Sequence, residues 1–180
     1  MSDPSTAMDG SETVNSASVH NRNSSLACNR GDPGNAGVPL PGRDPRNALK
    51  RLRVLVAEDH AAVRSSVVRL LSKNYDVVGA VNDGRALLDA VNTMAPDVLV
   101  VDLSLPIITG IEAASILKKT DCASKIVFLT VHNDPDFVKA AHDAGALGYV
   151  LKQQMTNDLP EAIDKAFAGK QFTSPSVRND

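Results

Sequence analysis

The chain has 180 residues, of which 19 are basic and 21 acidic, and its formal net charge is −2. This balance argues against a basic surface for nucleic acid or for an anionic membrane. No apolar run approaches the roughly 20 residues that span a bilayer, and the N-terminus lacks a secretory signal pattern. Cys28 and Cys122 lie far apart, so we expect two ordinary thiols in a cytoplasmic protein.

Residues 1–48 differ in composition from the rest of the chain. They are rich in Ser, Asn, Gly, Asp and Pro, and they contain no Phe, Tyr or Trp. Such a segment buries too little apolar surface to offset the entropy lost on ordering. We therefore predict a disordered extension, either a plain solvated tail or a tether, followed by an ordered domain over residues 49–169 and a tail or linker remnant over residues 170–180.

Within residues 49–169, short apolar runs alternate with segments whose apolar residues recur at helical spacing. Runs of the first kind are typical of strands buried on both faces of a parallel sheet, and those of the second kind of amphipathic helices. In chain order the predicted elements are strand Leu52–Ala57, helix Ala61–Leu71, strand Tyr75–Ala80, helix Arg85–Met94, strand Asp97–Asp102, helix Gly110–Lys119, strand Lys125–Thr130, a helix from Pro135 that ends at Gly145, strand Leu147–Val150, a loop over Lys152–Asp158, and a last helix that has Pro160 in its first turn and ends at Gly169.

Five strands, each followed by a helix, predict an α/β domain with a parallel sheet covered on both faces. The strand count and right-handed crossovers favour a doubly wound, flavodoxin-like (βα)5 fold with strand order 2-1-3-4-5.

Polar side chains follow four of the predicted strands at the same edge of the sheet, where open α/β sheets bind ligands. Glu58 and Asp59 follow the first strand, Asp102 ends the third, Thr130 ends the fourth, and Lys152 comes just after the fifth. Each has a simpler explanation: a favourable helix dipole, a turn cap, ordinary β-propensity and a solvated lysine, respectively. Their convergence on one edge favours a common site.

The chemistry of this set points to phosphoryl transfer. Clustered carboxylates call for a hard cation such as Mg²⁺, and an ammonium and a hydroxyl suit phosphoryl oxygens. A carboxylate can act as the nucleophile, and Mg²⁺ together with a lysine would neutralise the charge on the transferred group. The sequence thus indicates an enzyme-like site whose substrate is the protein itself.

Residues 53–168 resemble the receiver domain of response regulators in bacterial two-component signalling, in the form joined to LuxR-type (NarL/FixJ-like) helix-turn-helix effectors. The motifs that carry the resemblance are Glu58-Asp59, Val100-Val101-Asp102-Leu103, Leu105-Pro106 with Gly110-Ile111-Glu112, Leu129-Thr130, and the run from Ala144 to Lys152.

The resemblance implies a phosphorylation-controlled signalling domain that catalyses only its own phosphoryl transfer and dephosphorylation. Asp102 would accept the phosphoryl group from a sensor histidine kinase or a histidine phosphotransfer protein, and Thr130 and Lys152 would bind its oxygens. Thr130 and Tyr149 would form the switch. The surface built from helix 4, strand 5 and helix 5 would then engage a downstream protein or a second copy. The implied Mg²⁺ ligands are Glu58, Asp59, Asp102 and the backbone carbonyl of Ser104.

Three features depart from the family pattern. Val131 replaces a small residue, so we expect slow exchange of the phosphoryl group with small phosphodonors and slow loss of phosphate. Gln153 replaces a proline or a small or acidic residue. No recognition helix follows residue 169, so the chain is expected to be either a single-domain receiver or the receiver portion of a LuxR-type transcription regulator whose DNA-binding domain is absent from it.

Two further hypotheses are weaker. A metal-dependent hydrolase on the same scaffold predicts a second acid two residues after the nucleophile, where this chain has Ser104. A receiver-like scaffold that is never phosphorylated would not need the complete set of polar residues.

Overall fold

The computed structural model describes residues 51–177; the predicted extension over residues 1–48 and the last three residues of the predicted tail lie outside this range. Within it, six strands form one parallel sheet in the order β2-β1-β3-β4-β5-β6. The strands are β1 (Arg53–Ala57), β2 (Asp76–Val81), β3 (Val98–Val101), β4 (Lys125–Thr130), β5 (Gly148–Leu151) and β6 (Phe172–Thr173). The helices are α1 (Ala61–Leu71), α2 (Gly84–Met94), α3 (Gly110–Lys119), α4 (Pro135–Asp143) and α5 (Met155–Phe167).

The doubly wound α/β prediction and its strand order 2-1-3-4-5 are confirmed, and β6 extends the sheet beyond β5. Two hydrophobic clusters cover the faces of the sheet, as β3 illustrates. Leu99 and Val101 belong to the cluster under α2, α3 and α4, whereas Val98 and Val100 belong to the cluster under α1 and α5. All four residues are at most 1% exposed, which explains why the strand is apolar at every position.

The prediction of a loop over Lys152–Asp158 is wrong. A 3₁₀ turn covers Lys152–Gln154, and α5 begins directly after it at Met155. Pro160 therefore lies in the second turn of α5, where it removes one helical donor. Local sequence favoured a later start because proline is best tolerated in a first turn, but α5 buries four apolar side chains against the sheet, and tertiary packing of such a face contributes most of the stability of a helix.

Residues 172–177 fall within the predicted tail, and the structure packs them against the domain. β6 pairs with β5 in parallel, and Phe172, Ser174 and Val177 are buried. The domain boundaries themselves stay a prediction.

Candidate functional site

The polar residues predicted at one edge lie at the carboxyl end of the sheet. The register places Ala57 beside Val101, so the β1–α1 loop with Glu58 and Asp59 adjoins Asp102. Lys152 follows β5 and reaches back across the edge, because its Nζ lies 3.0 Å from Asp102 Oδ2 and 2.8 Å from Glu58 Oε2. The structure thus brings two carboxylates and an ammonium, separated by up to 94 positions in sequence, into direct contact.

This cluster is withdrawn from solvent. Glu58 is 1% exposed, Asp102 is 3% exposed, and the Lys152 side chain is 15% exposed. Burial raises the pKa of the Glu58 carboxyl, and the nearby Lys152 ammonium opposes that shift only in part. Burial alone would lower the pKa of Lys152, but its hydrogen bonds to Glu58 and Asp102 outweigh burial and raise that pKa. Lys152 therefore stays charged and holds the two carboxylates together.

The donor set at this edge fits a hard divalent cation. Glu58 Oε2 is buried and receives no hydrogen bond from the described residues, although Lys152 Nζ lies close to it. Asp59 is partly exposed beside it, and with Asp102 the edge holds three carboxylates against one lysine. Such an excess of oxygen ligands and negative charge matches the preferences of Mg²⁺. One ligand atom each from Glu58, Asp59 and His60 lie within 4.8 Å of one another.

Sequence reasoning missed the residues that position the acidic loop. Nη1 of Arg64, one turn into α1, donates to the backbone carbonyls of Glu58 and Asp59 at 2.7 and 3.0 Å. His60 Nδ1 lies 2.8 Å from Asp59 Oδ1. Burial raises the pKa of the Asp59 carboxyl, but its hydrogen bonds and its charge interaction with His60 outweigh burial and hold that pKa below the usual range. The signal in the sequence was an arginine in the first turn of the helix that follows the acidic pair.

The backbone of His132 links the two predicted switch residues. Its N–H donates to Thr130 Oγ1 at 3.1 Å, and its carbonyl accepts the Tyr149 hydroxyl at 2.9 Å. Thr130 and Tyr149 are both 0% exposed, and burial together with the charge of Asp134 raises the pKa of Tyr149 to about 12. The two side chains are therefore connected through one loop residue, which no pattern in the sequence indicates.

The loop between β3 and α3 contains a strained turn. The Pro106 carbonyl accepts from Ile108 N at 2.8 Å and from Gly84 N at 3.3 Å. The first of these bonds spans two positions and closes a γ-turn with Ile107 at its centre, at φ 70°. A positive φ is unfavourable for a β-branched residue, and this form of the turn is rare. Ile107 is also 80% exposed, so little burial offsets the strain.

We expect Ile107→Gly to raise the free energy of unfolding by about 0.5 kcal/mol, as measured by urea denaturation. Relief of left-handed strain, about 1–2 kcal/mol, exceeds the extra ordering entropy of glycine, about 0.5–1 kcal/mol. Val131→Gly is the matched control, because Val131 is another exposed β-branched residue but its φ is not positive. Equal losses of stability in both variants would contradict the assignment of strain to Ile107.

A comparison with protein families identifies the domain. The model of the response regulator receiver domain matches residues 54–164, which is more than half of the chain and includes all the clustered side chains. The chain belongs to the response regulator receiver family. Phosphorylation-controlled switching is the general function of this family, and receiver domains typically bind Mg²⁺ at acidic residues.

Several curated relatives of this receiver domain are named as transcriptional regulatory proteins. The chain is 34% identical over 128 residues to the transcriptional regulatory protein YvfU of Bacillus subtilis, and the match covers 70% of this chain and 64% of that protein. It is 36% identical over 127 residues to the transcriptional regulatory protein PdtaR of Mycobacterium tuberculosis, which covers 70% and 61% of the two chains. The chain thus spans a little over three fifths of the length of these relatives.

Solved structures of similar proteins agree with the receiver fold. A LuxR-family two-component response regulator from Aurantimonas sp. SI85-9A1 is 33% identical with a TM-score of 0.67, and the match covers 71% of this chain and 92% of that one. The isolated receiver domain of RcsB from Salmonella enterica serovar Typhimurium, determined with the phosphomimetic BeF₃⁻, is 32% identical with a TM-score of 0.65 and coverages of 71% and 96%. The predicted resemblance to LuxR-type receivers is confirmed.

Among residues 51–177 of this receiver, no helix is both long and apolar enough to cross a bilayer.

Proposed function

We propose that this chain is a phosphorylation-controlled receiver in which Asp102 accepts a phosphoryl group with the help of Mg²⁺. The observation that carries the proposal is the position of Lys152 Nζ, 3.0 Å from Asp102 Oδ2 within a buried acidic cluster at the carboxyl edge of the sheet. A lysine bound to the acceptor carboxylate is already placed to bind an oxygen of the group that arrives there.

The donor is a phosphohistidine on a sensor histidine kinase or on a histidine phosphotransfer protein. An oxygen of the Asp102 carboxylate attacks phosphorus, the P–N bond breaks, and its electron pair returns to the imidazole of the donor. Lys152 binds one phosphoryl oxygen, and the Thr130 hydroxyl donates to another.

The residues that would hold Mg²⁺ are Glu58, Asp59 and Asp102, together with the backbone carbonyl of Ser104. When bound, the ion neutralises negative charge on the acceptor and on the transferred group. Arg64 and His60 keep the acidic loop in place through the contacts described above.

The switch follows from the hydrogen bonds of His132. When the Thr130 hydroxyl turns toward a phosphoryl group, the His132 N–H loses its acceptor. The loop that contains His132 must then adjust, and its carbonyl is the acceptor of the Tyr149 hydroxyl. The affected surface comprises α4, β5 and α5, and it would engage a downstream protein or a second copy. This is a two-state element that is biased by a local change of charge.

Intact-mass spectrometry tests the acceptor. The wild-type chain and Asp102→Asn are incubated with Mg²⁺ and a small acyl phosphate, and in parallel with a phosphorylated histidine kinase. We expect the wild type to gain one phosphoryl group and the variant to gain none. A gain in both proteins would place the acceptor elsewhere, and no gain from either donor would contradict the proposed function.

The domain acts as a signalling module, and its proposed catalysis is limited to its own phosphorylation and dephosphorylation. Val131 directly follows Thr130, and we infer that its branched side chain hinders water that approaches the phosphoryl group. We expect Val131→Ala to lose the phosphoryl group several-fold faster than wild type, measured as the decay of the phosphorylated mass. An unchanged decay would contradict this role for Val131.

The second candidate is the receiver portion of a LuxR-type transcription regulator. Two observations favour this candidate. The relatives are named as transcriptional regulatory proteins, and the match covers 64% and 61% of their length. The DNA-binding domain would then lie outside the 180 residues. Sequencing of the reading frame on both sides of the segment that encodes them distinguishes the two candidates.

A further inference from the structure

Residues 172–177, here called the strap, lie along the outer edge of β5. Phe172 N donates to the Leu147 carbonyl at 2.8 Å, and Ser174 N donates to the Tyr149 carbonyl at 2.9 Å. Phe172 is 8% exposed and Ser174 is 1% exposed. The strap is therefore docked on the strand that carries the predicted switch tyrosine.

Hydrogen bonds of side chains connect the strap to residues on both sides of Lys152 in the sequence. The Ser174 hydroxyl accepts from Leu151 N at 3.2 Å and donates to Asp158 Oδ2 at 2.5 Å. Gln154 Nε2 also donates to the hydroxyl of Ser176. Leu151 directly precedes Lys152, and Gln154 closes the 3₁₀ turn that Lys152 begins. Any displacement of the Lys152 backbone consequently acts on these bonds.

The strap is also connected to Thr130. Thr173 lies beside Tyr149 in the β5–β6 register, and the Tyr149 hydroxyl is bonded to the His132 carbonyl, whose own N–H donates to Thr130. Val177 is 6% exposed and belongs to the hydrophobic cluster that contains Tyr149. Both residues expected to bind the phosphoryl oxygens are thus linked to the strap within a few contacts.

We propose that the strap is a conformational output of the Asp102 site and that it loosens from β5 when a phosphoryl group is bound there. The inference rests on the proposed function. Lys152 and Thr130 turn from their present partners to the phosphoryl oxygens, which shifts the Leu151–Gln154 backbone and the loop that holds Tyr149. The hydrogen bonds of Ser174 and Ser176 and the packing of Val177 fit the present arrangement, so they weaken in the new one. Because coupling between two sites is reciprocal, loosening the strap must also strengthen binding of a phosphoryl analogue.

Hydrogen exchange of the full chain tests the first direction. Beryllofluoride with Mg²⁺ serves as the phosphoryl analogue, and its binding is measured separately by calorimetry. We expect the amides of Phe172 and Ser174 to exchange about tenfold faster in the bound state, since local opening sets their protection. The Leu55 amide in the core strand β1 is the internal reference and should not change.

Ser174→Ala tests the reciprocal direction. It removes the hydroxyl that joins Leu151 to Asp158, and we expect beryllofluoride to bind several-fold more tightly than in wild type. Ser66→Ala is the matched control, because the Ser66 hydroxyl donates to the Ala62 carbonyl within α1, and it should leave the affinity unchanged.

The outcomes separate the two proposals. The coupling is supported if beryllofluoride binds the wild type, the strap amides then exchange faster, and Ser174→Ala binds beryllofluoride more tightly than wild type. If beryllofluoride binds but the exchange of the strap amides and the affinity of Ser174→Ala are both unchanged, the coupling is overturned and the proposed function remains intact. Absence of binding overturns the proposed function, and the coupling falls with it.

Discussion

Lys152→Ala is expected to lower the free energy of unfolding by about 3 kcal/mol near neutral pH, because it leaves Glu58 and Asp102 buried without their cation. Both carboxylates are almost fully withdrawn from solvent, and Lys152 Nζ lies within 3.0 Å of each. Urea denaturation measures the loss. Lys152→Met retains most of the side-chain volume, so a similar loss in that variant assigns the effect to the charge and not to a cavity.

The same variant has a predictable dependence on pH. Burial already raises the pKa of Glu58, and Lys152 opposes that shift, so removal of the lysine raises this pKa further. A carboxyl whose pKa is higher in the folded than in the unfolded protein destabilises the fold above its unfolded pKa, and the penalty fades as pH falls and the folded carboxyl becomes protonated. The difference in unfolding free energy between variant and wild type should therefore shrink as pH falls from neutral toward the ordinary glutamate pKa of about 4.3.

Arg85→Ala is the control for loss of an ion pair. Arg85 Nε lies 3.5 Å from Asp89 Oδ2 on the surface of α2, and both side chains are more than 60% exposed. Such pairs contribute about 0–1 kcal/mol. Equal losses in Lys152→Ala and Arg85→Ala would contradict the assignment of a buried charge cluster.

Gly110→Ala is expected to lower the free energy of unfolding by about 3 kcal/mol and to displace Asp102, the proposed phosphoacceptor. Gly110 is the first residue of α3, and a Cβ there would lie 2.2 Å from the Asp102 carbonyl oxygen and 3.1 Å from Leu103 Cα. These are backbone atoms, so relief requires α3 or the Asp102 turn to move, and overpacking of this kind costs about 1–3 kcal/mol or somewhat more. Urea denaturation gives the stability, and intact-mass spectrometry gives the rate of phosphoryl acceptance, which should fall.

Gly79→Ala is the matched control for this substitution. A Cβ at Gly79 would lie 2.7 Å from Met94 Sδ and 3.1 Å from Leu55 Cδ1, which are side-chain atoms. Methionine adapts readily to small changes in shape, so we expect a loss under about 1 kcal/mol. If Gly110→Ala were no less stable than Gly79→Ala, the close approach of α3 to Asp102 would not matter.

The positions of Glu58, Asp59, Asp102, Thr130 and Lys152 at one edge could be predicted from the sequence. Alternating apolar runs and amphipathic segments indicate parallel strands, and the carboxyl ends of parallel strands share an edge. The contacts among these side chains could not be predicted, because the side-chain conformation of Lys152 depends on neighbours far away in the chain. The link from Thr130 through the His132 backbone to Tyr149 has no local signature for the same reason.

The sequence by itself determined the order of the elements, the parallel sheet and the acidic edge, since these follow from periodicity and from residues that end strands. Tertiary structure decided where α5 begins, how the γ-turn at Ile107 is held, and that residues 172–177 dock on β5. Each of these depends on contacts between distant segments: the burial of one face of α5, the bond from Gly84 to the Pro106 carbonyl, and the pairing of β6 with β5. Local propensity is weak compared with such packing, so these features cannot be inferred from any single stretch of the sequence.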